Sequence, residues 1–248
     1  MDPGLLLAVA GLIFAGAVKG AVGFGLPMIA APVLAGFMGP RTAVVVMSIV
    51  NFVSALLVAG RVRGVPLRGY LRLVGPMGLA TMGGIVIGAQ LLAVLPQALL
   101  SVLVGIVAML FALLSAARLQ LKIPPARRGV VGSLIGLAAG LLGGTTSVFA
   151  TPVVMYFQAV GLPKRDFLVL LNLVLALGTL VQIVAYAGLG LFSVAILQSA
   201  LLTVVCVGVG IGLGFVVQDR VNQRVFNTAV IAVIFLVGLS LVARTVAG

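Results

Sequence analysis

Charge is what this 248-residue chain has least of: charged residues make up 7% of it, where a soluble globular domain carries about 25%. That shortage, with long apolar runs throughout, excludes a soluble fold. Acidic side chains number three, Asp2, Asp166 and Asp219, and there is no glutamate and no histidine. Each aspartate falls at a terminus or at an expected cytoplasmic boundary, so a carboxylate or imidazole relay for protons through a membrane is not available. The same lack removes a transition-metal or carboxylate-based hydrolytic centre, which argues against an intramembrane protease or a lipid phosphatase. No enzyme, cofactor or metal is expected. A G-x-x-x-x-G-K-[ST] sequence is missing, so the chain does not itself hydrolyse ATP. Cys206 is the only cysteine, which rules out an intramolecular disulfide. Tryptophan is absent; Tyr70 and Tyr186, near span ends, are left to form a thin interfacial belt.

What is present is hydrophobic. Residues of that class make up 63% of the chain, and the reading is an all-α polytopic membrane protein. Met1-Asp2-Pro3-Gly4 has neither a basic n-region nor a small-residue cleavage site, so no removable signal peptide is expected. Apolar runs between polar breaks divide into 4 to 20, 26 to 38, 42 to 60, 70 to 93 and 98 to 117, then 129 to 143, 146 to 159, 166 to 187, 191 to 217 and 224 to 246. The last three of each set can cross a core of about 30 Å at about 1.5 Å per residue. The first two of each set are mostly too short. Each such pair reads as a broken or re-entrant hairpin with a non-helical turn, Gly23 to Pro27 and Gly143 to Ser147, kept away from lipid that cannot satisfy bare backbone.

The chain is internally duplicated. Shifted by 120 places, Gly16, Gly20, Gly23 and Pro32 fall on Gly136, Gly140, Gly143 and Pro152. Residues 1–120 are therefore a first repeat, 121–128 a cytoplasmic linker marked by Pro124-Pro125, and 129–248 a second repeat. If each hairpin returns to its starting side, twelve of the fifteen basic residues collect on one face: Arg61, Arg63, Arg68, Arg72, Arg118, Lys122, Arg127, Arg128, Lys164, Arg165, Arg220 and Arg224. Only Arg41 and Arg244 occupy the other, so the first face is cytoplasmic and both termini lie outside. The formal charge of +12 thus reflects membrane orientation and not nucleic-acid binding. An odd number of net crossings per half makes the duplication an inverted repeat, each copy a hairpin plus three transmembrane helices. Glycines four apart, such as Gly84 and Gly88, Gly208 and Gly212, or Gly210 and Gly214, read as close helix packing.

Lys19 is a basic residue inside the first hairpin, and a charge at such depth marks a functional site. It would favour an anion over a neutral solute. Around it, Gly23, Phe24, Gly25 and Pro27 form a turn with glycine where the backbone bends and proline where a helix starts. The counterpart Gly143, Gly144, Thr145, Thr146 and Ser147 is expected to offer free backbone N–H groups, hydroxyls and a helix N-terminus, together an anion cradle. Asn51 and Asn172, 121 places apart, begin polar stripes that continue to Ser54 on one side and to Thr179 and Gln182 on the other; amides in apolar spans need partners. The expected substrate is thus a small anion, in a lipid bilayer.

The fingerprint Gly16-x3-Gly20-x2-Gly23-x-Gly25 with Pro32, its repeat Gly136-x3-Gly140-x2-Gly143-Gly144 with Pro152, and the clusters Gly83-Gly84-x3-Gly88 and Gly208-x-Gly210-x-Gly212 resemble the sulfite exporter TauE/SafE family over about residues 5 to 245. The resemblance implies an inner-membrane permease for small anions such as sulfite, sulfoacetate and related organosulfur compounds. Export could run on a membrane potential that is negative inside, worth about 2.3 kcal/mol per charge per 100 mV. An anion channel of the same fold, or a permease for a carboxylate, stays open, as does a homodimer. Phe24, Pro27, Thr145 and Thr146 depart from the family's usual small residues.

Overall fold

The computed structural model describes residues 3–61, 65–116 and 123–217. The expected span from 224 to 246, both remaining aspartates Asp2 and Asp219, and Arg63, Arg118, Lys122, Arg220, Arg224 and Arg244 lie outside the described residues.

Every regular element described is helical: α1 (Pro3–Val22), α2 (Leu26–Met38), α3 (Pro40–Arg61), α4 (Leu67–Val94), α5 (Gln97–Ala116), a 3-10 turn (Pro125–Arg127), α6 (Arg128–Thr146), α7 (Ala150–Val160), α8 (Lys164–Gly188) and α9 (Val194–Val217). Prolines mark the starts, at Pro27 in the first turn of α2 and at Pro163 just before α8, because the ring presets a helical φ where no N–H partner is needed. Among the described residues, five segments are long and apolar enough to cross a membrane: α3, α4, Pro125–Thr146, α8 and Val194–Val216 of α9. The protein is a multi-pass membrane protein.

Two expectations are corrected here. The first segment of the second half, expected to stop at 143 and fall short, stays helical to Thr146 and is long enough to span. The hydroxyls of Thr145 and Thr146 donate to the carbonyls of Leu141 and Leu142 at 2.9 and 2.7 Å, so they travel with the helix instead of breaking it. Pro32 and Pro152 also differ in setting: Pro32 lies inside α2, whereas Pro152 is in the first turn of α7.

The described chain forms two compact units. Of the described residues, one unit comprises 3–50, 95–116 and 192–217, the other 51–61, 65–94 and 123–191. In the first unit, α2 folds back on α1, α9 packs along α1, and α5 lies against α2. Arg41 donates from Nη2 to the carbonyl of Leu95 at 2.7 Å. In the second unit, α4 packs along α6, α7 folds back on α6, and α8 covers α4 and α7.

One kind of helix pairing through glycine is used in each unit, α1 with α9 and α6 with α4. A methyl group added to Gly16 or Gly20 would lie 3.1 Å from the Cα of Gly210 or Gly214. Their counterparts Gly136 and Gly140 face α4, where a methyl would come within 3.0 Å of Thr81 Oγ1 and 2.9 Å of the Cα of Gly84. The partners Val207, Ile211 and Gly214 stand 130 places after Met77, Thr81 and Gly84. Each hairpin therefore packs on the fourth helix of the other half. Backbones approach this closely only where no Cβ intervenes, and in lipid such contact is what holds helices together. Gly208 and Gly212 take no part in it, since an added methyl on either would meet nothing within 4 Å among the described residues.

Candidate functional site

In the first unit, α1 ends at Val22 because the next residues need left-handed backbone: Gly23 has φ 91° and Gly25 has φ 98°. A side chain at either would be strained. The amide of Gly23 closes on the carbonyl of Lys19 at 2.7 Å, which ties the turn to that residue's own backbone. Lys19 sits in the last turn of α1 and is 2% exposed. The one carboxylate among the described residues, Asp166, belongs to the other unit and is engaged by Tyr70. The carbonyl end of α1 offers roughly half a negative charge, which does not neutralise a full cation. A buried charge without a counterion is expensive. Leu26, Pro27 and Met28 continue the turn and are buried.

The second unit contains the other expected turn, but it starts later. Gly143, Gly144, Thr145 and Thr146 belong to the last turn of α6, and the break falls on Ser147, Val148 and Phe149. Ser147 takes the left-handed conformation, φ 59°. Backbone N–H groups of 143–146 are thus spent inside the helix, and the open groups at this end are carbonyls. A methyl group on Gly143 would meet the Phe149 ring within 2.8 Å, so glycine here lets the chain reverse tightly.

Those carbonyls attract the polar side chains of neighbouring helices. Gln182 donates from Nε2 to the Gly143 carbonyl at 2.8 Å and approaches Ser147 Oγ at 2.9 Å and the Tyr186 hydroxyl at 2.7 Å. Tyr186 donates to the Gly144 carbonyl at 2.7 Å. Asn51 donates from Nδ2 to the Ser147 carbonyl at 3.3 Å. The structure brings Asn51, Gly143, Gly144, Ser147 and Gln182 together as expected neighbours of one turn. Asn172 donates back to the Leu168 carbonyl of its own helix at 2.9 Å, as Thr179 does to Leu175 at 2.7 Å, and Ser54 to Asn51 at 3.0 Å.

Tyr186 is the residue that sequence reasoning misplaced. Expected at the membrane interface, it is fully buried, because its hydroxyl caps a helix carbonyl that lipid cannot serve. Its spacing of four from Gln182, which puts both on one helix face, was the available signal.

At the other end of this unit the basic residues gather. The Tyr70 hydroxyl donates to Asp166, bringing the start of α4 to the start of α8. The Tyr156 hydroxyl donates to the Arg128 carbonyl at 2.9 Å, and Ile123 donates to Ala159 at 3.3 Å. α6 therefore leaves and α7 returns at the same end, a helical hairpin, alongside Arg68, Arg72, Arg127, Arg128, Lys164 and Arg165. Histidine, cysteine and acidic residues form no metal-binding cluster among the described residues.

Against known proteins, the model of the family described as Sulfite exporter TauE/SafE matches residues 7–241. No curated protein and no solved structure matches the chain. With nearly the whole length covered, the chain belongs to that family.

Proposed function

Taking a sulfite exporter family membrane transporter as the premise, we propose that this chain is a secondary permease for small oxyanions of the sulfite or organosulfonate type. Its direction is export across the inner membrane, down a potential that is negative inside. Lys19 carries this reading: it is a buried basic side chain that meets no carboxylate among the described residues, set beside a glycine turn on a broken helix. A mobile anion that reaches it regains the electrostatic energy that burial cost the ammonium group. An anion bound too tightly would not leave, and the neutral surroundings of Lys19 leave a single charge to hold it. Gly23, Phe24, Gly25 and Pro27 form the turn that follows that charge. The absence of glutamate and histidine removes the side chains on which most membrane proton relays rely.

The test is uptake and counterflow in proteoliposomes against sulfite, sulfate, thiosulfate, sulfoacetate and simple carboxylates, with an imposed potential. Saturable flux with counterflow for a sulfur oxyanion, accelerated by a potential that repels it, supports the reading. Equal, unsaturable conductance for all anions would replace the carrier with a channel.

A further inference from the structure

The two units leave opposite chemistry unsatisfied. The first buries a basic side chain, Lys19, with no carboxylate against it among the described residues. The second leaves oxygen atoms: Asn51 Oδ1 and Gln182 Oε1 are buried and accept no hydrogen bond among the described residues. Asn51 is 4% exposed and Gln182 is 0% exposed, so water does not readily serve them. A buried amide oxygen without a partner is costly and is rare enough in folded proteins to call for a partner from outside the chain.

Both orphan oxygens belong to side chains whose nitrogens are anchored on one short stretch of backbone. Asn51 Nδ2 is bonded to the Ser147 carbonyl, and Gln182 Nε2 to the Gly143 carbonyl and near Ser147 Oγ. An amide oxygen lies only about 2.3 Å from its own nitrogen, so each is close to the broken end of α6. That end is the negative pole of the helix dipole. Its carbonyls retain a second lone pair each after accepting from Asn51, Gln182 and Tyr186. Where α1 has Lys19 near its own broken end, α6 has no basic residue in its last turn. The duplicated hairpin thus keeps a built-in cation in one copy and has none in the other.

We propose that the broken end of α6 binds a monovalent alkali cation, Na+, through the amide oxygens of Asn51 and Gln182 and the carbonyl oxygens of the Gly143 to Ser147 segment. Hard, neutral oxygen donors suit such an ion. A divalent ion does not fit, because no carboxylate among the described residues is available here to balance a second charge: Asp166 is engaged with Tyr70 at the opposite end of the unit. The ion supplies what Asn51 Oδ1 and Gln182 Oε1 lack without a proton donor. The transporter reading is needed only for the consequence: Na+ entering down its own gradient would add to the membrane potential in driving an anion out.

The experiment uses the purified full chain in detergent, without any transported anion, at constant chloride. Thermal unfolding is followed in NaCl, KCl and choline chloride, together with direct binding of radioactive sodium. A saturable rise in unfolding temperature with Na+, absent with choline and weaker with K+, supports the site. Asn51→Asp keeps the oxygen and adds a charge, and should lower the half-saturating Na+ concentration by roughly tenfold or more; Asn51→Leu should abolish the Na+ effect. Equal stabilisation by all three salts, or no sodium binding to the unmodified protein, overturns the proposal, and that comparison needs no variant to fold. Because binding is read without anion flux, a protein that binds Na+ but moves no anion refutes only the proposed function. One that moves anions without binding Na+ refutes only this site.

Discussion

Asn51 and Ser147, 96 positions apart, are joined by a 3.3 Å bond from the asparagine Nδ2 to the serine carbonyl. Nothing local to either residue requires it. The bond exists because α6 stops at a left-handed serine and presents its last carbonyls to the interior, where an amide from α3 is the nearest donor that lipid does not replace.

Lys19→Met removes the buried charge and keeps the side-chain length. Anion flux in proteoliposomes should fall to background, while Lys19→Arg keeps part of it because the charge is retained in a different shape. Thermal stability of Lys19→Met, measured without transported anion, should rise above that of the unmodified protein, since an unpaired buried charge is destabilising. Unchanged flux in a folded Lys19→Met protein would deny the lysine any role in selection.

Glycine contacts separate sharply by position. Gly140→Ala places a methyl 2.9 Å from the Cα of Gly84, and Gly20→Ala does the same to Gly214 at 3.1 Å. Neither backbone can yield cheaply, and each substitution should destabilise by about 1 to 3 kcal/mol or prevent folding. Gly208→Ala and Gly212→Ala, which meet nothing within 4 Å, should be neutral or gain up to about 1 kcal/mol from helix propensity. Unfolding midpoints of the four variants, compared in one detergent, provide the measurement.

Tyr186→Phe deletes the hydroxyl that serves the Gly144 carbonyl and receives the Gln182 amide. With both partners buried, the loss should be about 1 to 3 kcal/mol, seen as a lowered unfolding midpoint. A variant as stable as the parent would place water in the hydroxyl's stead.

Orientation can be read from the basic end of the second unit. With Cys206 replaced by serine, single cysteines at Arg68 and Arg165 should react with an impermeant maleimide in inside-out vesicles and stay protected in intact cells, as the excess of lysine and arginine there requires. The reverse pattern would invert the assignment of cytoplasmic face.

Sequence alone determined the class of protein and most of the helices among the described residues, because each rests on short-range physics. Apolar length sets what can span a bilayer, glycine and proline set where helices break, and lysine and arginine counts set the expected sidedness. Lys19 was legible for the same reason: a charge in such a run is anomalous wherever the chain folds. The tertiary structure decided what depends on partners distant in sequence. The glycine stripes at 208 and 212 and at 210 and 214 look alike as spacing, yet only Gly210 and Gly214 meet α1, since the face a helix presents is chosen by its neighbour. Thr145 and Thr146 read as free donors until their hydroxyls were seen to close on carbonyls one turn back. Gln182 and Tyr186 acquired their roles only when α8 was laid against the end of α6. A hydrogen-bonding group in an apolar span must find a partner, but which one it finds is settled by packing and not by its place in the chain.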